Sequence, residues 1–93
     1  MLRSDSDAPV IAGEPTIFVV DDDDSLRRGL VRLLRAAGFK VEAFGSAPEF
    51  LQRLPIIEHG CMLLDVQMPV VTGPDLHGEL LARGIALPVV YLT

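Results

Sequence analysis

A chain of 93 residues has room for one domain, and with 49% of them apolar it carries enough hydrophobic side chain to bury a core. Its formal charge of −5 works against the cationic stripe that phosphate-backbone binding requires, so no direct nucleic-acid contact is expected. The single cysteine, Cys61, excludes an internal disulfide framework, and the chain contains neither a signal-peptide core nor an apolar run of membrane-spanning length. The expectation is a cytoplasmic protein with no membrane partner.

Residues 1–15 mix Ser, Asp, Ala, Gly and Pro without a sustained period and read as a flexible leader, which leaves residues 16–93 as the domain. Residues 16–20 are a compact β-branched and apolar run that ends abruptly in acids, the pattern of a parallel strand buried on both faces. Leu26, Leu30, Leu33, Leu34 and Ala37 then fall at helical spacing, with Asp23, Asp24 or Ser25 as cap and Gly38 as terminator. Residues 40–44 make a second strand. Ser46 to Glu49, with Pro48 between them, is a capping-box pattern that opens a short helix carrying Phe50, Leu51 and Leu54.

Residues 61–64 repeat the design of the first strand, a fully apolar run ending in an acid, Asp65. After a turn over residues 68–73, Leu76, Leu80 and Leu81 predict a third helix that stops near Gly84, and residues 87–92 a fourth strand. Strands alternating with helices through short joints predict an α/β, doubly wound parallel sheet with right-handed crossovers.

In such sheets, sites form outside the carboxyl ends of the strands, where the strand order reverses. Asp21, Asp22, Asp65 and Thr93 all fall at that end. Converging carboxylates repel one another, and an oxygen-only donor set of this kind suits magnesium. With Asp21 and Asp22 holding the metal, Asp65 is the carboxylate left to attack a phosphoryl group. The bland alternative makes 21–24 a solvated loop and helix cap. His59 and His77 lack metal-ligand spacing and read as solvent-exposed, Cys61 as a small buried strand residue, and Tyr91 as a core residue.

The order and spacing of three segments resemble the receiver domains of bacterial two-component response regulators over nearly all of residues 16–93. Val19-Val20-Asp21-Asp22 looks like the strand ending in the family's acidic pair. Leu63-Leu64-Asp65-Val66-Gln67-Met68-Pro69, followed by Gly73, looks like its phosphoacceptor segment, and Val90-Tyr91-Leu92-Thr93 like its fourth strand ending in a hydroxyl. The Ser-Ala-Pro-Glu-Phe-Leu segment is similar to receivers that precede helix-turn-helix output domains, the FixJ/NarL type.

The resemblance implies a flavodoxin-like fold, Mg2+ held by Asp21, Asp22, Asp65 and the backbone carbonyl of Gln67, and phosphorylation of Asp65 by a histidine kinase. Thr93 would bond a phosphoryl oxygen as the switch residue, and the Gln67 side chain would influence phosphate lifetime. The module would not be an enzyme in the ordinary sense. It would take part in its own phosphorylation and dephosphorylation, and signal to an output domain, DNA-binding by type, outside this chain. The family's fifth strand, its lysine and its switch aromatic are not in this sequence, so the expected fold is truncated after the fourth strand, with dimerisation or edge-strand association through residues 88–92. Two other readings stand beside this one. One is a receiver-like scaffold that is not phosphorylated. The other is a haloacid dehalogenase-type phosphatase using Asp21 and Asp23.

Overall fold

The structure is a computed structural model and describes residues 15–92. The leader over residues 1–14 and Thr93 lie outside the described residues. In chain order the elements are β1 (Thr16–Val20), α1 (Asp24–Ala36), β2 (Lys40–Phe44), α2 (Ala47–Gln52), β3 (Gly60–Asp65), α3 (Gly73–Ala82) and β4 (Val89–Leu92).

All four strands are parallel, in the spatial order β2-β1-β3-β4. The chain therefore steps to one side of β1 and then crosses back to the other, and the order reverses between β1 and β3. Val20 pairs with Phe44 on one side and with Leu64 on the other, which sets the ends of β1 and β3 level. Asp21 and Asp65 thus follow from register alone.

The two faces of the sheet are unequally covered. On one face Phe18, Val20, Met62 and Leu64 meet Phe50 of α2 and Leu76 and Leu80 of α3, all fully or almost fully buried. Phe50 packs edge-on against both Phe18 and Phe44, at centroid separations of 6.0 and 5.2 Å, geometries that suit the aromatic quadrupole. On the other face Ile17, Val19 and Val41 lie under Leu30, Val31 and Leu34 of α1, while Cys61 and Leu63 remain half-buried.

That asymmetry accounts for several departures from the sequence reading. β1 is buried at every position as expected, but β3 is buried only at Met62 and Leu64, because α1 lies mainly over β1 and β2 and covers Cys61 and Leu63 only in part. Cys61 is half-buried rather than core. The apolar stripe of α1 is wider than the surface beneath it: Leu30 and Leu34 pack, whereas Leu26 and Leu33 are 48% and 66% exposed. Leu81 of α3 is exposed as well, one residue beyond the buried pair Leu76 and Leu80.

Local signals fix the helix ends. Asp23 takes the cap of α1, its side chain accepting from the Leu26 amide at 3.0 Å, and Gly38 follows the helix at φ 96°, where a Cβ would be strained. Ser46 caps α2 through the Glu49 amide, but Glu49 reaches past the cap to the Gly45 amide at 3.0 Å, so the box closes one residue early. A complete capping box opens α3, with Thr72 and Asp75 bonding each other's amides and Pro74 in the first turn.

Candidate functional site

Three of the predicted carboxylates converge. Asp21 and Asp22 leave the end of β1, Asp65 ends β3, and one oxygen from each lies within 4.8 Å of the others. Asp21 is the inner member at 1% exposure, Asp65 is half-buried, and Asp22 faces solvent.

Backbone bonds hold these side chains in place. The Asp21 amide donates to the Phe44 carbonyl at 3.1 Å, extending the β1–β2 ladder by one residue, and Asp21 Oδ1 accepts from the Asp23 amide at 2.8 Å. Across the sheet Asp65 pairs with Leu92, the Val66 amide donates to the Leu92 carbonyl at 3.2 Å, and the Gln67 amide donates to Asp65 Oδ1 at 3.2 Å.

The loop after Asp65 is drawn tightly against it. The Gly73 amide donates to the Val66 carbonyl at 3.0 Å, and a Cβ on Gly73 would lie 2.3 Å from the Asp65 carbonyl oxygen, a contact no side chain tolerates. The same loop places Val70 at φ 71° with its side chain almost wholly in solvent. A β-branched residue in the left-handed region is strained.

Charge balance at the cluster is the informative feature. The nearest guanidinium, that of Arg27, donates through Nη1 to the Asp21 backbone carbonyl at 2.8 Å and through Nη2 to the Asp24 carboxylate. Among the described residues no lysine, arginine or histidine forms an ion pair with Asp21, Asp22 or Asp65. Three carboxylates packed this closely without an organic counter-charge favour a bound cation, and oxygen donors alone suit a hard divalent ion. The donor set therefore fits magnesium.

A cavity of about 320 Å3 opens beside the cluster, lined by Asp65, Val66, Gln67 and Leu92. Gln67 is thus at the site, with its side chain exposed. Thr93, outside the described residues, directly follows Leu92, the last described partner in the β3–β4 ladder. Asp23, the second acid of the dehalogenase-type reading, caps α1 and is not one of the three converging carboxylates.

Two readings from sequence are corrected near the site. Tyr91 is 39% exposed, not core, and its hydroxyl lies 2.7 Å from Nδ1 of His77, which is half-buried on α3 rather than free in solvent. β4 is an edge strand among the described residues, so the Tyr91 face has only α3 to lean on. That pairing had no sequence signal, since it joins residues 14 positions apart.

The model of the response regulator receiver domain matches residues 17–93. The chain belongs to that family. This receiver chain is 43% identical over 77 residues to nodulation protein W of Bradyrhizobium diazoefficiens, covering 83% of this chain and 34% of that protein. It is 39% identical to the transcriptional regulatory protein FixJ of Azorhizobium caulinodans, covering 83% of this chain and 36% of FixJ. Among solved structures it superposes on the response regulator StyR with a TM-score of 0.80 at 47% identity, over 84% of this chain and 39% of that one. The receiver chain thus spans about a third of the length of the curated relatives it matches. The likeness carries the flavodoxin-like α/β fold expected from sequence, and no described helix is long and apolar enough to cross a membrane.

Proposed function

We propose that this receiver is a magnesium-dependent phosphoacceptor, in which Asp65 takes a phosphoryl group from a histidine kinase and Asp21 and Asp22 hold the metal. The observation that carries this is the convergence of three carboxylates with no organic cation paired to them among the described residues, at the strand ends where the sheet order reverses.

Each residue has a distinct part. Asp22, the exposed acid, and buried Asp21 present oxygens to the metal, the Asp23 amide keeping Asp21 turned inward. The Gln67 backbone carbonyl supplies a further oxygen, and the Gln67 side chain, at the cavity mouth, governs access of water to the phosphorylated site. Bound magnesium would supply charge neutralisation between Asp65 and the incoming phosphoryl oxygens. A carboxylate oxygen of Asp65 attacks phosphorus in line, the O–P bond forms as the bond to the donor breaks, and the donor leaves with the electron pair. Thr93 donates its hydroxyl to a phosphoryl oxygen and moves toward it, pulling on β4.

The signal passes to an output domain outside this chain, of the DNA-binding kind, and the protein works in the cytoplasm. The relatives include proteins named as transcriptional regulators, which supports an output of that class.

Magnesium titration tests the site. Tyr91 is the only tyrosine and the chain has no tryptophan, so intrinsic fluorescence reports on β4 one residue from the partner of Asp65. Saturable quenching or enhancement by Mg2+ is expected, abolished in Asp22→Ala. An unchanged magnesium affinity in Asp22→Ala would contradict the assignment.

A further inference from the structure

Among the described residues a positive patch runs along α1, and beyond Arg27, which bonds the Asp21 carbonyl, it has no part in the phosphoacceptor site. Arg27, Arg28, Arg32 and Arg35 of α1, with Val31 and Ala43, line a cleft of about 420 Å3 where the helix overhangs β2, the outermost strand on that edge. That volume falls within the range of small-molecule pockets, roughly 300 to 1,000 Å3.

Helical spacing makes the cleft linear. Arg28, Arg32 and Arg35 stand at i, i+4 and i+7, so their heads share one face and spread along about 10 Å of helix axis. Counter-charge on this face is sparse. Asp24 accepts from Arg27 and Arg28, Arg35 donates to the Val41 carbonyl at 3.2 Å, and Arg32 has no hydrogen bond or ion pair among the described residues. Among the described residues Asp24 is therefore the one carboxylate ion-paired with these four guanidiniums, each of which carries five donors.

We propose that the α1–β2 cleft is a binding site for a linear oligophosphate, either free or as the phosphate tail of a nucleotide. Guanidinium forks match phosphate oxygens two at a time, and a row of heads longer than one phosphate group selects a chain of them. The concavity favours a small ligand over the flat face of an acidic protein, and Val31 and Ala43 form an apolar floor with no group that repels an anion. The site is independent of the phosphoacceptor reading, since none of Arg28, Arg32 and Arg35 touches the carboxylate cluster.

Calorimetry in magnesium-free buffer containing chelator tests it, with sodium tripolyphosphate, ATP and hexaglutamate as probes. Saturable one-to-one binding of tripolyphosphate is expected, weakening as salt rises. The double variant Arg28→Gln, Arg32→Gln should lose about tenfold or more in affinity, as removal of charge-assisted bonds predicts. Both side chains are exposed, so its melting temperature should match the parent, and Arg83→Gln, at the cap that ends α3, should bind as the parent does. ATP matching tripolyphosphate would identify a nucleotide tail as the source, and weaker ATP binding a free chain. Absence of saturation at millimolar tripolyphosphate, equal affinity in the double variant, or hexaglutamate binding as tightly would each overturn the proposal.

Discussion

At the scale of single residues, Gly73 and Asp65 constrain one another. A methyl group on Gly73 has nowhere to go, because the atom it meets is the Asp65 backbone carbonyl and not a side chain that can swing away. Gly73→Ala should therefore cost about 1 to 3 kcal/mol, the scale of enforced backbone strain, and displace Asp65 as well. Denaturant unfolding should show the loss, and a magnesium titration of the still-folded fraction should show weakened binding; a stability equal to the parent would contradict the close approach. The carboxylates themselves were legible because each terminates an apolar run, a pattern with few causes. The Tyr91–His77 contact was not, since nothing in a local window links the two residues.

At the scale of elements, strand cores and the first helix were legible from period and caps, and β1 and β2 begin and end where the sequence placed them, over residues 16–20 and 40–44. The start of α3 was less so. Thr72 and Asp75 form a capping box that spacing alone allowed, but the preceding turn masked it. Thr72→Ala should lower stability by about 0.5 to 2 kcal/mol, the usual worth of such a cap, measurable as a shift in urea midpoint at constant slope.

The joint between α2 and β3 rests on Arg53, whose guanidinium bonds Glu42 at 2.8 and 3.1 Å and Glu58 at 2.5 Å. Glu58's own backbone amide, outweighing its desolvation, and then Arg53 hold its carboxyl below the usual range. A carboxylate depressed in the folded state stabilises above its unfolded pKa of about 4.3, and that contribution fades as pH falls through the lower folded value. Glu58→Gln should flatten this acid limb in a pH series of melting temperatures by lowering the neutral-pH value slightly while leaving the acid end little changed; an identical limb would remove Glu58 from the account.

At the scale of the whole molecule, one face of the sheet is sealed by α2 and α3 and the other is covered over only half its width. Leu26, Leu33, Val90 and Tyr91 are each at least 39% exposed, and β4 is open along its outer edge among the described residues. An edge of unpaired amides and carbonyls beside apolar side chains is a template for another strand. The 93-residue chain is therefore expected to self-associate through β4, and sedimentation at several concentrations should show a concentration-dependent rise in mass. A cooperative monomer at every concentration would contradict this. Sequence indicated the open edge, but the stripe of Leu26, Leu30, Leu33 and Leu34 did not tell which of them pack: Leu30 and Leu34 do and Leu26 and Leu33 do not, because how far a helix overhangs a sheet is set by docking and not by spacing.

The central claim is that Asp65 is the phosphoacceptor, and the direct measurement is peptide mapping by mass spectrometry after incubation with acetyl phosphate and magnesium. One phosphoryl group, borne by Asp65, not formed when chelator is present during the incubation and absent from Asp65→Asn, is the predicted result. A phosphoryl group retained in Asp65→Asn, or mapped to Asp21 in the parent, would contradict the account.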